Sequence, residues 1–276
     1  MSFEAGFSNE TAKPQERITA LMGRALELQQ TGSLIQAATT LEEALSEARQ
    51  TPYEIEFQTR IQLAMSLADV FQRLGQIQEA CTMLIEETAF AERISQIMHA
   101  TGKPSQKRSA TSGFLQVRDR SIQMSLLGKE SPEINVKEWL KGGILSLAES
   151  RGQVVLLEFW ATWCKPCQEM FPKLTSLHET EGPKGLEIIA LTRHYLAYGG
   201  SPESLMEERQ LMLDMVERHS VSFHVGLAED ERLQRTFGAN GLPTLLLIDR
   251  SGIIRYAGPG EHDPLFSKEL QHSLKV

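Results

Sequence analysis

Cys164 and Cys167 stand two residues apart in Trp163-Cys164-Lys165-Pro166-Cys167. Two thiols at that spacing can close a small ring or share a zinc ion, so the pair alone does not separate redox chemistry from metal binding. A tetrahedral zinc site needs four ligands. His178 and His194 do not recur at finger-like spacing, and the remaining cysteine, Cys81, is distant in sequence. Disulfide exchange is therefore the leading expectation, and no metal is expected.

The apolar run Val154-Val155-Leu156-Leu157-Glu158-Phe159-Trp160 precedes the pair, as a strand would if it delivered two thiols to the start of a helix. A thiolate there meets unpaired backbone N–H groups and the positive end of the helix dipole, which lower its pKa toward neutrality. Cys164 then attacks a target disulfide, and Cys167, one turn further in, resolves the mixed disulfide intramolecularly. Lys165 adds a positive charge that either steadies the thiolate or simply faces solvent, and Pro166 restrains the turn. Glu158 interrupts the apolar run six residues before Cys164. A buried, unpaired carboxylate there is costly unless its pKa rises; the plain alternative is a solvated, edge-facing glutamate.

At 276 residues the chain has room for two domains of roughly 100 to 200 residues each. A net charge of -8 and a pI near 5.5 argue against nucleic-acid binding by the whole chain, which calls for excess Lys and Arg. Residues Met1 to Glu10 show no basic start followed by an apolar core, so no secretory signal is read there. The longest apolar runs, broken by Glu158 or Pro243, fall short of the roughly 20 residues a bilayer helix requires. The expectation is a soluble, cytoplasmic chain, with an exported mature form as the alternative.

From about Ile18 to Met98 apolar residues fall at helical spacing. Gly32, Ala37 and Leu41 recur as Gly75, Ala80 and Leu84, 43 residues later. The pattern resembles tetratricopeptide repeats, with a plain helical bundle as the alternative. Cys81 lies in the stripe Ile77, Ala80, Cys81, Leu84, Ile85 and is read as a structural core residue. Residues 99–125, rich in turn formers and carrying Lys103, Lys107, Arg108, Arg118 and Arg120, read as a flexible, solvated linker. Beyond Ile134 short strands alternate with helices: Val154–Phe159, Leu186–Thr192, Val221–Val225, Thr244–Asp249 and Ile253–Ala257. The fold class is therefore two-domain: an all-α helical domain over 1–98, a linker over 99–125, and an α/β domain with a mixed central sheet over 126–276.

Phe159-Trp160-Ala161-Thr162-Trp163-Cys164-Lys165-Pro166-Cys167 resembles the active-site segment of the thioredoxin superfamily. Pro172 matches its helix-kinking proline, and Gly241-Leu242-Pro243-Thr244 its cis-proline loop. The flanks, Leu127-Gly128-Lys129-Glu130-Ser131-Pro132-Glu133-Ile134 and Leu147 to Leu157, are similar to the TlpA/ResA-like, peroxiredoxin-related (AhpC/TSA) branch. The resemblance covers about Leu126 to Leu274. It implies a thioredoxin-like fold and a thiol-disulfide oxidoreductase, with no cofactor beyond the Cys164–Cys167 disulfide; reduction of protein disulfides is the expected direction because the signal-free reading of the N-terminus places the pair in a reducing cytosol. Glu158 matches the family's buried aspartate, implying that it takes the proton of Cys167 during resolution. Trp163 and Pro166 would flank the nucleophile, and Leu242, Pro243 and Thr244 would pair with an extended substrate. The implied partners are protein disulfides and a thiol electron donor, with a protein on the helical repeats as a further expectation. TlpA-like relatives commonly act outside the cytoplasm, against the signal-free reading of the N-terminus.

Two other readings compete. An adaptor would bind proteins through the helical repeats and use the thioredoxin-like module for redox sensing. A peroxidase fits less well, because peroxiredoxins carry threonine three residues before the reactive cysteine and this chain carries Ala161. The segment His194 to Pro202, leading into a helix over Glu203–His219, is longer than a minimal thioredoxin needs. It is read as shaping substrate access or as a surface loop.

Overall fold

The computed structural model describes residues 13–196, 200–260 and 263–275. The reading of Met1 to Glu10, and residues Ala197 to Gly199 of the segment His194 to Pro202, lie outside them. The chain divides into two compact units, Met1–Ser121 and Ile122–Val276.

The first unit contains α1 (Pro14–Gln30), α2 (Leu34–Gln50), α3 (Phe57–Leu74), α4 (Ile77–Thr101) and most of α5 (Pro104–Leu126). Ile18, Leu41, Ile61, Leu67 and Leu84 form its core, with Ala37, Ala44, Ala64 and Ala80 fully buried between neighbouring helices. Gly32 and Gly75 stand at the turns after α1 and α3 with φ of 78° and 74°. That left-handed geometry is open to glycine at little cost and ends a helix cleanly. A buried ion pair ties α3 to α4: Arg60 donates to both carboxylate oxygens of Glu87 at 2.7 and 3.1 Å, and Arg49 from α2 adds a contact of 2.9 Å.

Two expectations for this half are corrected. Cys81 is only half-buried, because the stripe containing it ends at Ile85, which is 63% exposed. The stretch 99–125 is not a flexible linker. α4 continues to Thr101, and α5 runs from Pro104 to Leu126. Its buried stripe is Ala110, Gly113, Val117, Arg120 and Met124, at helical spacing. Small residues and a paired cation stand where large apolar ones would have announced it. Arg120, only 4% exposed, donates to Asp69 at 2.7 Å and to Gln72 at 2.5 Å.

The second unit is built on one sheet with strands β1 (Val136–Lys141), β2 (Val154–Phe159), β3 (Leu186–Thr192), β4 (His224–Ala228), β5 (Thr244–Ile248) and β6 (Ile254–Gly258), in the order β1-β4-β3-β2-β5-β6. β2, β3 and β4 run parallel, while β5, β6 and β1 pair antiparallel, giving the mixed sheet expected. Helices α6 (Lys165–Glu181), α7 (Pro202–Arg218), α8 (Arg232–Phe237) and α9 (Pro264–Lys275) cover it. Successive strand residues point to opposite faces. Val154, Leu156 and Trp160 join a core with Phe171 of α6, Met212 of α7 and Phe266 of α9. Val155, Leu157 and Phe159 join a second core with Leu233 and Phe237 of α8. Strand β2 is buried along its whole length, as a strand between two filled faces must be.

Candidate active site

Strand β2 ends at Phe159, and five residues later Cys164 caps the N-terminus of α6, its Sγ accepting the Cys167 N–H at 3.3 Å. Pro166 fits the first turn of α6, where its missing N–H is no loss. The two cysteines are disulfide-bonded, with Cα atoms 5.3 Å apart. Cys164 is 3% exposed and Cys167 fully buried, so Cys164 is the sulfur nearer solvent. The Gln168 amide donates to Thr162 O at 2.7 Å and closes the loop between strand and helix. Lys165 is 85% exposed and 3.7 Å from Glu169, the solvent-facing alternative for this residue.

Glu158 is completely buried, which removes the edge-facing alternative. It sits on the face of β2 shared with Leu156 and Trp160, the face that carries the cysteines, α6 and α7. Its ladder partners, Ala190 and Leu245, belong to the same apolar core. Neither carboxylate oxygen has a hydrogen-bond partner. Burial pushes its pKa well above the usual carboxylate value, because no nearby charge or donor favours the ionised form.

Trp163 is 54% exposed and meets Tyr195 edge-to-face, with centroids 5.6 Å apart. The Arg193 guanidinium lies 4.0 Å from the Tyr195 ring centroid. The Leu242–Pro243 peptide is cis. Thr244, one residue on, opens β5 opposite Phe159 and donates its hydroxyl to Gly241 O at 2.6 Å. Cys164, Cys167 and Glu158 thus gather at the end of β2 and the start of α6, and the Leu242–Thr244 segment enters the neighbouring strand. Tyr195 lies in the segment His194 to Pro202, read as shaping substrate access or as a surface loop, but was not singled out; Glu208 was not anticipated. Glu208 is buried and accepts the Tyr195 and Leu196 N–H groups, each at 2.9 Å. Its sequence signal was a carboxylate in the α7 stripe Glu208, Met212, Met215.

The helical unit carries its own surface. A groove of about 470 Å³ has a floor of Leu45, Leu67, Phe71 and Met83, with Glu42, Glu79 and Glu86 on its walls. Arg49 is its basic lining residue and is already paired with Glu86 at 2.8 Å. Among the described residues, no helix is long and apolar enough to cross a membrane.

Residues 127–257 match the AhpC/TSA family. A thiol-disulfide oxidoreductase ResA of Bacillus thuringiensis (strain Al Hakam) is 32% identical over 46% of this chain and 65% of its own length, a little under two thirds. A ResA of B. thuringiensis subsp. konkukian is 31% identical over 54% of this chain and 77% of its own. A solved thiol:disulfide interchange protein of Chlorobium tepidum TLS is similar at 21% identity and a TM-score of 0.42, covering 52% of this chain and 95% of that one. Through its second unit, this chain belongs to the AhpC/TSA family, among thioredoxin-like relatives that include the ResA thiol-disulfide oxidoreductases.

Proposed function

We propose that the chain is a protein-disulfide reductase working through Cys164 and Cys167. The observation that carries this reading is a cysteine pair at a helix N-terminus on the same core face as a buried, unpartnered carboxylate. In the reduced protein, the Cys164 thiolate attacks one sulfur of a target disulfide. A mixed disulfide forms and one target thiolate leaves. Where Glu158 is ionised, Cys167 gives its proton to that carboxylate, directly or through water, and its sulfur attacks Cys164 Sγ. The second target thiolate leaves, the target gains two electrons, and the Cys164–Cys167 disulfide closes. The raised pKa of Glu158 moves it toward that of a thiol, the match efficient proton transfer needs. Leu242, Pro243 and Thr244 receive the extended target segment beside the disulfide, with Trp163 and Pro166 flanking the attacking sulfur. A thiol donor restores the dithiol, and no cofactor besides the disulfide is needed. The reducing direction is part of the proposal, and the potential of the pair tests it.

The test is trapping combined with a potential. Cys167→Ser should accumulate a mixed disulfide with reducible protein targets, and Cys164→Ser should trap none. The pair should equilibrate near the reducing end, about -270 mV, and a value near about -120 mV would make it an oxidant. Failure of the pair to form a disulfide at all would sink the reading.

A second reading, that the helical unit captures a protein, is favoured by the groove over Leu67 and Phe71. Its acidic walls suit a segment that places an apolar side chain between lysines or arginines. Capture abolished by Glu42→Lys with Glu79→Lys, yet unchanged when both active-site cysteines are serine, would support an adaptor role.

A further inference from the structure

We infer that Tyr195, held by the buried carboxylate of Glu208, is a substrate-positioning residue that makes the site favour disulfides in proteins over small disulfides. The inference rests on the exchange reading above. Thr192, the last residue of β3, donates its hydroxyl to Trp160 O at 2.9 Å. The chain leaving β3 is thereby tied to the chain that leads to the cysteines. The next four residues would be an ordinary loop, with backbone N–H groups turned to water. Instead, Tyr195 and Leu196 donate to Glu208 Oε1, and His194 Nδ1 lies 3.2 Å from Oε2. Glu208 is 3% exposed, and burying a carboxylate so deeply is tolerable only when hydrogen bonds replace its water. Helix α7 therefore braces, from outside the loop, the same Tyr195 that Arg193 covers from within it.

What that loop presents is the Tyr195 ring, edge-to-face with Trp163, and Trp163 is the neighbour of Cys164, a residue only 3% exposed. A small disulfide has to reach only the sulfur. A disulfide in a protein arrives with flanking chain, and the half-exposed indole beside Cys164 is a surface that chain can meet. An edge-to-face aromatic pair contributes about 0.5–1.5 kcal/mol beyond its buried area. Losing the brace should therefore weaken protein substrates about two- to tenfold, mainly through KM, and leave the chemistry of the sulfur alone.

The experiment measures kcat/KM of the full, reduced chain with insulin and with 5,5′-dithiobis(2-nitrobenzoate), together with the reduction potential of each variant. Tyr195→Ala and Glu208→Ala should lower the insulin value about two- to tenfold, leaving the small-disulfide value and the potential unchanged. Tyr195→Phe keeps the ring, and Glu208→Gln keeps a carbonyl oxygen for the two N–H groups, so both should behave as wild type. Should Glu208→Ala not fold, Tyr195→Ala carries the test. Equal losses with both disulfides, no loss with either, or a shifted potential would overturn the inference alone. Wild-type protein inert toward both would remove the exchange reading, and this inference with it.

Discussion

Phe159 pairs with Thr244 across the β2–β5 ladder. The strand that leads to the cysteines and the strand that follows cis-Pro243 therefore share one register, and a shift in either would move the segment before Cys164 relative to the Leu242–Thr244 segment. The Thr244 hydroxyl, hydrogen-bonded to Gly241 O at 2.6 Å, secures the second loop. Thr244→Val keeps the shape and removes the donor. It should cost about 1 kcal/mol, read as a lower denaturation midpoint at unchanged slope; no change would mean that the loop is held by other contacts.

Burial of Glu158 without partners predicts an unusual pH dependence. Its pKa is raised in the folded chain, so the folded state holds the proton where the unfolded chain has released it. The stability of the neutral form is fully present below the ordinary glutamate value of about 4.3. It is lost as pH rises through the folded pKa, by at most about 1.4 kcal/mol per pH unit for one group. Glu158→Gln cannot ionise, so its stability relative to wild type should increase with pH. Parallel pH curves from urea unfolding would show that Glu158 is not the titrating group. The same variant should slow resolution, so that the mixed disulfide at Cys164 persists longer than in wild type.

In the helical unit, Glu87 accepts from Arg60 and Arg49 in the interior, and Arg60 also lies over the Phe90 ring at 3.6 Å. Removing one member leaves a buried charge without its partner. Glu87→Ala should cost about 3–5 kcal/mol, whereas replacing Arg60 and Glu87 together by apolar residues of similar volume should cost much less. Equal losses in the single and double variants would refute the pairing argument, and circular dichroism against urea separates the cases.

Gly113 in α5 faces Phe57, and a Cβ at this position would lie 2.5 Å from the Phe57 ring. Gly113→Val should therefore destabilise the first unit by about 1–3 kcal/mol through overpacking. In a flexible linker the same change would be neutral, so the unfolding midpoint distinguishes the two pictures.

The sequence carried different elements with different clarity. β2 and β3 have the expected bounds because runs of Val, Ile and Leu buried on both faces leave little room for another structure. β1 went unread: Val136–Lys141 carries Lys137, Glu138 and Lys141, charges natural to an edge strand that blur its alternation. β4 begins at His224 rather than Val221, since Val221 and Phe223 are buried in the core without belonging to the ladder. α5 was hidden by a stripe of small and paired polar residues. The cysteines, Glu158 and the cis-Pro243 loop were legible as residue types at telling positions. The Tyr195–Glu208 bonds were not, because a side chain binding backbone N–H groups 12 and 13 residues away depends on folding and leaves no local motif.

The strict two-sidedness of β2 also bears on how its gene can change. Loss of the single codon for Phe159 would draw Glu158 into the place of Phe159, whose ring now packs against Phe237 in the second core with centroids 5.6 Å apart, and turn the carboxylate from the cysteines. Codons in this stretch can be rewritten one at a time, as the apolar positions trade among Val, Ile and Leu. They cannot be lost or gained singly, so descendants of this chain should vary in spelling here long before they vary in length.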